Sequence, residues 1–252
     1  MANEKDTEYI ELDPNTEYIK IHGLQRSGTN YISHLMNENF HGVKALVNVG
    51  GWKHGHYMAP WLVGHEVHIL GIVKNPYSWL VSMFKYWGPD KKLRIGPDLA
   101  GVTFDEFVRN RIFIERQRDI PYLFRARNPV DHWNNMNFHW TTIRMNQKKL
   151  CMISYEAILS NTEKYIEKIG NNMGLKQKTV FSGSDKTFTP SGEELKQSEN
   201  DFTKKNYYLG EAGYLDHYTP ELIEFVNQEL DIDLMVQFGY SFVSPDELKA
   251  KS

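Results

Sequence analysis

The chain has 252 residues and a formal charge of −3 from 29 basic and 32 acidic side chains; 40% of it is hydrophobic, including 13 Phe, 14 Tyr and 6 Trp. That length and apolar share suit one large α/β domain with a substantial core. The acidic balance argues against a general nucleic-acid binder, so any phosphate site has to be local. One cysteine, Cys151, excludes an intramolecular disulfide, and its place in an apolar run reads as a buried strand residue. The N-terminal stretch lacks a basic-then-apolar signal pattern, and no window approaches the ~18 apolar residues of a membrane span. A soluble cytoplasmic protein is the expectation, with neither a membrane nor a nucleic acid as partner.

In chain order, residues 18–22 form a short β-branched and aromatic run that ends at Gly23, and a helical pattern starts near Thr29. A second run, 67–73, ends at Asn75-Pro76 and leads into 78–87, where Trp79, Leu80, Met83, Phe84 and Trp87 recur at helical spacing. Residues 88–101 read as a Gly/Pro/Lys-rich loop, and 104–117 and 131–145 as helices. A third strand, 150–153, precedes a helix over 162–173 that Gly174 stops. The polar stretch 182–206 reads as a lid or a solvated loop. Thr219-Pro220-Glu221 opens a helix to about Leu230, and 244–252 reads as a frayed tail. Strands alternating with helices predict a mostly parallel sheet that binds ligands beyond the carboxyl ends of its strands.

Gly23-Leu24-Gln25-Arg26-Ser27-Gly28-Thr29-Asn30 keeps the G-x4-G spacing of a phosphate-cradling loop, after a strand and before a helix. A nucleoside-triphosphate loop continues with Lys, which reaches the β/γ-phosphates, and with Ser or Thr, which holds Mg²⁺. Here those positions are Thr29 and Asn30, and the cation is Arg26 inside the loop, whose guanidinium can span two oxygens of a phosphate or sulfate. Further on, Lys74 at a strand tip and Ser82 on the next helix can converge on one dianion because Asn75-Pro76 forces a sharp turn between them.

The segment G-L-Q-R-S-G-T resembles the 5'-phosphosulfate loop of sulfotransferases that use 3'-phosphoadenosine 5'-phosphosulfate (PAPS), whose pattern is close to G-x-x-[KR]-[ST]-G-T. I-V-K-N-P-Y-S-W-L-V-S resembles their 3'-phosphate motif, with Lys74 where the family usually has Arg, and M-I-S-Y-E-A-I-L resembles a Y-E-x-[LI] segment that puts a tyrosine near the adenine. The resemblance runs from about Glu17 to Met173 and implies a single α/β domain, a parallel sheet flanked by helices in a P-loop-NTPase-like sulfotransferase fold. The domain would span 17–243, between tails 1–16 and 244–252. It implies Arg26 against the leaving phosphate and the sulfuryl group, and Gly23, Gln25, Ser27, Gly28, Thr29 and Asn30 around the 5'-phosphate. Lys74 and Ser82 would hold the 3'-phosphate and Tyr155 the adenine, with PAPS as donor, 3',5'-bisphosphoadenosine (PAP) as product and no metal. Lys204 and Lys205 could form a basic flap, although the family's R-K-G-x-x-G pattern is absent.

Sulfuryl transfer to a hydroxyl or amine needs a group to take the acceptor proton, and a histidine suits that at neutral pH. The resemblance puts such a histidine about twenty residues before the 3'-phosphate cation, which selects His54, with His56 close behind and Glu66 as a carboxylate alternative. Rival readings are a metal site built from His54, His56, His65 and His68, a P-loop nucleotide kinase, and a nucleotide-binding protein that transfers nothing. The acceptor is not legible. Trp133, Phe138 and Trp140 with Asn134, Asn135 and Asn137 suit either a sugar site or an amphipathic core helix.

Overall fold

Strand β1, Glu17–Gly23, is buried from its second residue onward. The computed structural model describes residues 13, 15–46, 49–56, 67–87, 101–109, 113–116, 123–146, 150–183, 187–188, 194–195, 205–210 and 212–249. Helix α1, Thr29–Asn39, follows β1 and buries Tyr31, Ile32, Leu35 and Met36, the spacing of one helical face. Strands β2, Val43–Leu46, and β3, His68–Val73, come next, then helix α2, Pro76–Trp87. Asn75 starts α2: its Oδ1 accepts from the Tyr77 and Ser78 amides at 3.0 and 3.3 Å, and Pro76 occupies the first helical position, where no amide is needed.

Helix α3, Phe104–Arg109, is shorter than the 104–117 expected from the sequence. Phe113–Arg116 is instead strand β4, paired antiparallel with β5, Leu123–Ala126. A short apolar run does not by itself separate helix from strand, and here the partner strand decides it. Helix α4, Pro129–Asn146, leads to strand β6, Leu150–Ser154, and two helices follow, α5, Tyr155–Ser160, and α6, Thr162–Met173. Helix α6 starts on Asn161, whose side chain accepts from the Lys164 amide, and stops at Gly174 with φ 68°.

Strands β7, Thr187–Phe188, and β8, Glu194–Leu195, form a small antiparallel pair, and most of the remaining 182–206 stretch lies outside the described residues. A π-helical turn, Asn206–Gly210, and a 3₁₀ turn, Gly213–His217, precede helices α7, Pro220–Glu229, and α8, Ile232–Phe238. Residues Pro245–Lys249, expected to fray, are a short helix α9 against α7. The chain leading into it is pinned: the Val243 carbonyl accepts from Asn227 Nδ2 at 2.9 Å, and its amide donates to Tyr77 Oη at 3.2 Å.

The main sheet has the order β2-β1-β3-β6 and every pairing is parallel. Ile19 and Ile21 of β1, with Leu70 and Ile72 of β3, face α1, α5 and α6 in one core. The second core gathers α2, α3, α4, α7 and α8 around Trp79, Trp133 and Trp140. The sheet is therefore covered on both faces, and even the polar Lys20 and His22 of β1 are buried. Neighbouring strands leave β1 in opposite directions, so the carboxyl ends of β1 and β3 border a topological switch point. Gly23 lies opposite Ile72, and Val73 opposite Ser154, so the loops after β1, β3 and β6 emerge side by side. No helix among the described residues is long and apolar enough to cross a membrane.

Gly170 is where α6 meets the end of α1: a Cβ there would lie 2.1 Å from Phe40 Cε1 and 2.3 Å from its Cζ. Phe40 is 2% exposed and has little room to move. Gly170→Ala is expected to destabilise the protein by about 1–3 kcal/mol through overpacking, although alanine is the better helix former by about 1 kcal/mol. Urea denaturation checks the sign.

Candidate active site

The loop after β1 turns on Arg26 and Gly28. Arg26 sits at φ 65°, a left-handed conformation that costs a side-chain-bearing residue energy, and its side chain is exposed at the loop surface. Its guanidinium carbon is 5.3 Å from the centre of the Tyr86 ring. Gly28, at φ 96°, is the residue before α1, and a Cβ on it would lie 2.5 Å from the Tyr155 ring. Only glycine gives both the turn and that close approach. The Ser27 amide and hydroxyl both donate to the Leu24 carbonyl, at 3.1 and 2.7 Å, so Ser27 closes the loop on itself. Thr29 is 4% exposed, and the Asn30 side-chain carbonyl accepts from Lys53 Nζ. The first amides of α1 have no partner within the helix and form the positive end of its dipole.

Two buried indoles hold the carbonyls of the neighbouring loops. Trp79 Nε1 donates to the Gln25 carbonyl at 2.8 Å, and Trp133 Nε1 donates to the Lys74 carbonyl at 2.9 Å. Lys74 and Ser82 come together as their spacing suggests, with Nζ 2.8 Å from Oγ across the first turns of α2. Two tyrosine rings flank the same ammonium, Tyr208 with its centre at 4.1 Å and Tyr155 at 5.3 Å. Tyr155, the first residue of α5, thus touches both the Gly23–Asn30 loop through Gly28 and the Lys74 position.

Of the candidate bases, His54 is the one tied to the phosphate loop. Its Nδ1 is 2.7 Å from the Gly23 carbonyl, and a carbonyl can only accept, so Nδ1 carries the proton and Nε2 is the basic nitrogen of the neutral ring. The Gly23 amide in turn donates to the Lys53 carbonyl at 3.0 Å, which clamps residues 53 and 54 to the end of β1. Lys20, fully buried on β1, donates from Nζ to the carbonyls of Val49 and Gly51 at 2.8 and 2.5 Å and fixes the start of the same loop. His56 packs its ring at 5.0 Å from that of His139, whose Nε2 donates to the His56 carbonyl at 2.8 Å. Glu66, His65 and Lys204 lie outside the described residues. Lys205 reaches away from Lys74, donating to the Ser160 carbonyl at 3.3 Å.

Several residues of the site escape the sequence reading. Lys53 is 4% exposed, and burial lowers its ammonium to about 8. The only hint in the sequence is a basic residue beside the candidate histidine. Glu156 joins three elements: Oε1 accepts from the Asn75 amide at 3.1 Å, and Oε2 from the Tyr240 hydroxyl at 2.8 Å. Burial raises its carboxyl above the ordinary range, while Lys74, Tyr240 and the Asn75 amide pull it back only in part. Trp133 and Trp140 are 0% and 1% exposed, so they are core residues rather than a sugar platform. Asn134 donates to the Glu229 carbonyl at 2.7 Å and Asn137 to that of Trp133 at 2.8 Å. Among the described residues no group of three His, Cys, Asp or Glu side chains could hold a metal ion. Cys151 is half-buried on β6.

The architecture is a single α/β domain with a parallel sheet flanked by helices, the fold of sulfotransferases. The solved structure of mouse sulfotransferase SULT7A1 complexed with PAP matches with a TM-score of 0.54 at 14% identity, covering 96% of this chain and 91% of that one. No family model matches the chain, and no curated protein matches it in sequence.

Because the Glu156 carboxyl is raised, the folded protein holds that proton more tightly than the unfolded chain does. This group's contribution to stability therefore falls as pH rises from about 4.5 through the raised folded value. Glu156→Gln keeps an acceptor for Tyr240 and removes the titration. Wild type should lose stability relative to this variant between acid and neutral pH in paired urea titrations; a relative gain would mean that the Lys74 charge outweighs burial.

Proposed function

We propose that the protein is a sulfotransferase acting in the cytoplasm, which moves the sulfuryl group of PAPS to a hydroxyl or amine of a carbohydrate or small-molecule acceptor and releases PAP. The observation that carries the reading is a pair of anion positions on adjacent strand ends. One is the loop around Arg26 and the α1 amides; the other is Lys74 with Ser82. PAPS has phosphate at both ends of its ribose and matches two such positions. A triphosphate kinase would place a lysine and a metal-holding hydroxyl where this chain has Thr29 and Asn30. The Asn30 side chain is also engaged with Lys53.

In this reading Gly23 to Asn30 surround the 5'-phosphosulfate, Lys74 and Ser82 hold the 3'-phosphate, and Tyr155 lies beside the adenosine. The acceptor's lone pair attacks sulfur in line with the S–O bond to the 5'-phosphate. As the new bond from sulfur to the acceptor's oxygen or nitrogen forms, the S–O bond to the 5'-phosphate breaks and its electron pair stays on the phosphate oxygen, where Arg26 stabilises the growing charge. The acceptor proton passes to Nε2 of His54, the nitrogen left basic by the Gly23 bond. No step calls for a metal. His56 is the less direct candidate because its loop position is set by His139 rather than by the phosphate loop.

PAPS and PAP are expected to raise the melting temperature with chelator present. Stabilisation by ATP with Mg²⁺ but by neither 3'-phosphorylated compound would favour the kinase. Lys74→Ala should weaken PAP far more than adenosine 5'-phosphate in calorimetry, by about 1.5–3 kcal/mol for a charge-assisted contact. With acceptors found by mass spectrometry of a metabolite or glycan pool incubated with PAPS, Arg26→Ala should lower turnover by roughly a hundredfold or more at every pH. His54→Ala should leave PAP affinity nearly unchanged, slow turnover by roughly a hundredfold to ten-thousandfold, and abolish the acidic limb of the pH profile. Retention of that limb would move the base to His56 or Glu66.

A further inference from the structure

The lysines at 204 and 205 are the obvious cations of the segment before α7, yet Lys205 bonds to the end of α5, and it is Tyr208 from the same segment that reaches Lys74. Tyr208 lies in the π-helical turn Asn206–Gly210. Such turns are rare and cluster at functional sites, because the wider coil redirects one side chain. Here the redirected side chain is half-buried, with its hydroxyl 3.5 Å from Ser82 Oγ and its ring 4.1 Å from Lys74 Nζ. Its ring also meets Tyr155 edge to face at 5.5 Å and Tyr207 at 5.0 Å. Tyr207 is itself held from α2, its hydroxyl accepting from Lys85 Nζ at 3.4 Å. Three polar groups from two distant parts of the chain, an ammonium, an alcohol and a phenol, therefore converge on one point beside the Gly23–Asn30 loop.

A phenol packed against a lysine and a serine does little for stability alone, since the Lys74 ammonium already has Ser82 and an aromatic face. It does what an anion site requires, which is to present a neutral donor beside the cation without adding charge to a buried cluster. Burial pushes the Tyr208 phenol up, but Lys74, the bond to Ser82 and Arg26 together bring it below its ordinary value. A more acidic O–H is a stronger donor to a phosphate oxygen.

We propose that Tyr208 is a binding residue for the nucleotide's ribose phosphate, donating its hydroxyl to the same phosphomonoester that Lys74 and Ser82 hold, and so helping to select a 3'-phosphorylated nucleotide over its 3'-hydroxyl counterpart. The proposal rests on the sulfotransferase reading and adds the aromatic turn as the third side of the phosphate site, the place where a basic flap was expected. The turn acts through a hydroxyl and a ring face, not through a second guanidinium or ammonium.

The test measures PAP and adenosine 5'-phosphate binding by calorimetry on wild type, Tyr208→Phe and Tyr208→Ala, with the unfolding midpoint of each variant recorded. Tyr208→Phe should keep the midpoint, weaken PAP roughly tenfold or more, and leave adenosine 5'-phosphate within about twofold, because only the phenolic donor is removed. Tyr208→Ala should weaken PAP further by removing the ring as well. If PAP binds wild type better than adenosine 5'-phosphate and Tyr208→Phe changes neither affinity, or changes both equally, Tyr208 has no such role while the sulfotransferase reading stands. If wild type itself fails to prefer PAP, both fall together.

Discussion

The arrangement of the site depends on two hydrogen bonds from buried indoles. Trp79 and Trp133 are each 0% exposed, and each places one N–H on the carbonyl of a loop at a strand end. One carbonyl belongs to Gln25, next to Arg26, and the other to Lys74. Both donors come from one helical core, so the spacing between the Gln25 and Lys74 carbonyls is inherited from core packing. A buried carbonyl that loses its donor costs about 1–3 kcal/mol, which makes these bonds a strong restraint on loop position.

A second constraint is the burial of cations under the candidate base. Lys20 on β1 and Lys53 within the His54 loop are 0% and 4% exposed, and both are held by carbonyl oxygens: Val49 and Gly51 for one, Asn30 for the other. Carbonyls satisfy an ammonium without cancelling its charge. His22, fully buried in the same region and stacked at 4.1 Å on Trp140, is pushed well below its ordinary value by burial and by Lys20. Two buried lysines thus back this loop in a chain whose formal charge is −3, so positive charge here is local rather than global.

What could be read from the sequence follows physical range. The parallel sheet is legible because β-branched and apolar runs such as 67–73 alternate with helical patterns, although Lys20 and His22 interrupt the run at 18–22. The Gly23–Asn30 loop is legible because its glycines answer a local backbone demand, and Lys74 with Ser82 because the Asn75-Pro76 start of α2 and its first two turns set their separation. Strand β4 reads as helix because Phe113–Arg116 is short and its identity depends on pairing with β5 across a hairpin, which periodicity within the run does not show. Glu156 and Tyr208 could not be found in the same way, since their significance lies in partners 81 and 126 residues away along the chain. The Trp133 to Trp140 stretch offered a sugar site and a core helix equally, and only burial separates them.

Arg26 shows what the loop gives up for its chemistry. At φ 65° a glycine would relax the backbone, and on conformational grounds alone that exchange would make the protein harder to unfold. Arginine at this position holds the turn open at an energetic loss and sets a cation where a ligand's charge would lie. If the proposed transfer is its role, selection for stability and for function pull this residue in opposite directions, and a search for hardier variants of the protein would tend to erase the side chain on which that chemistry depends.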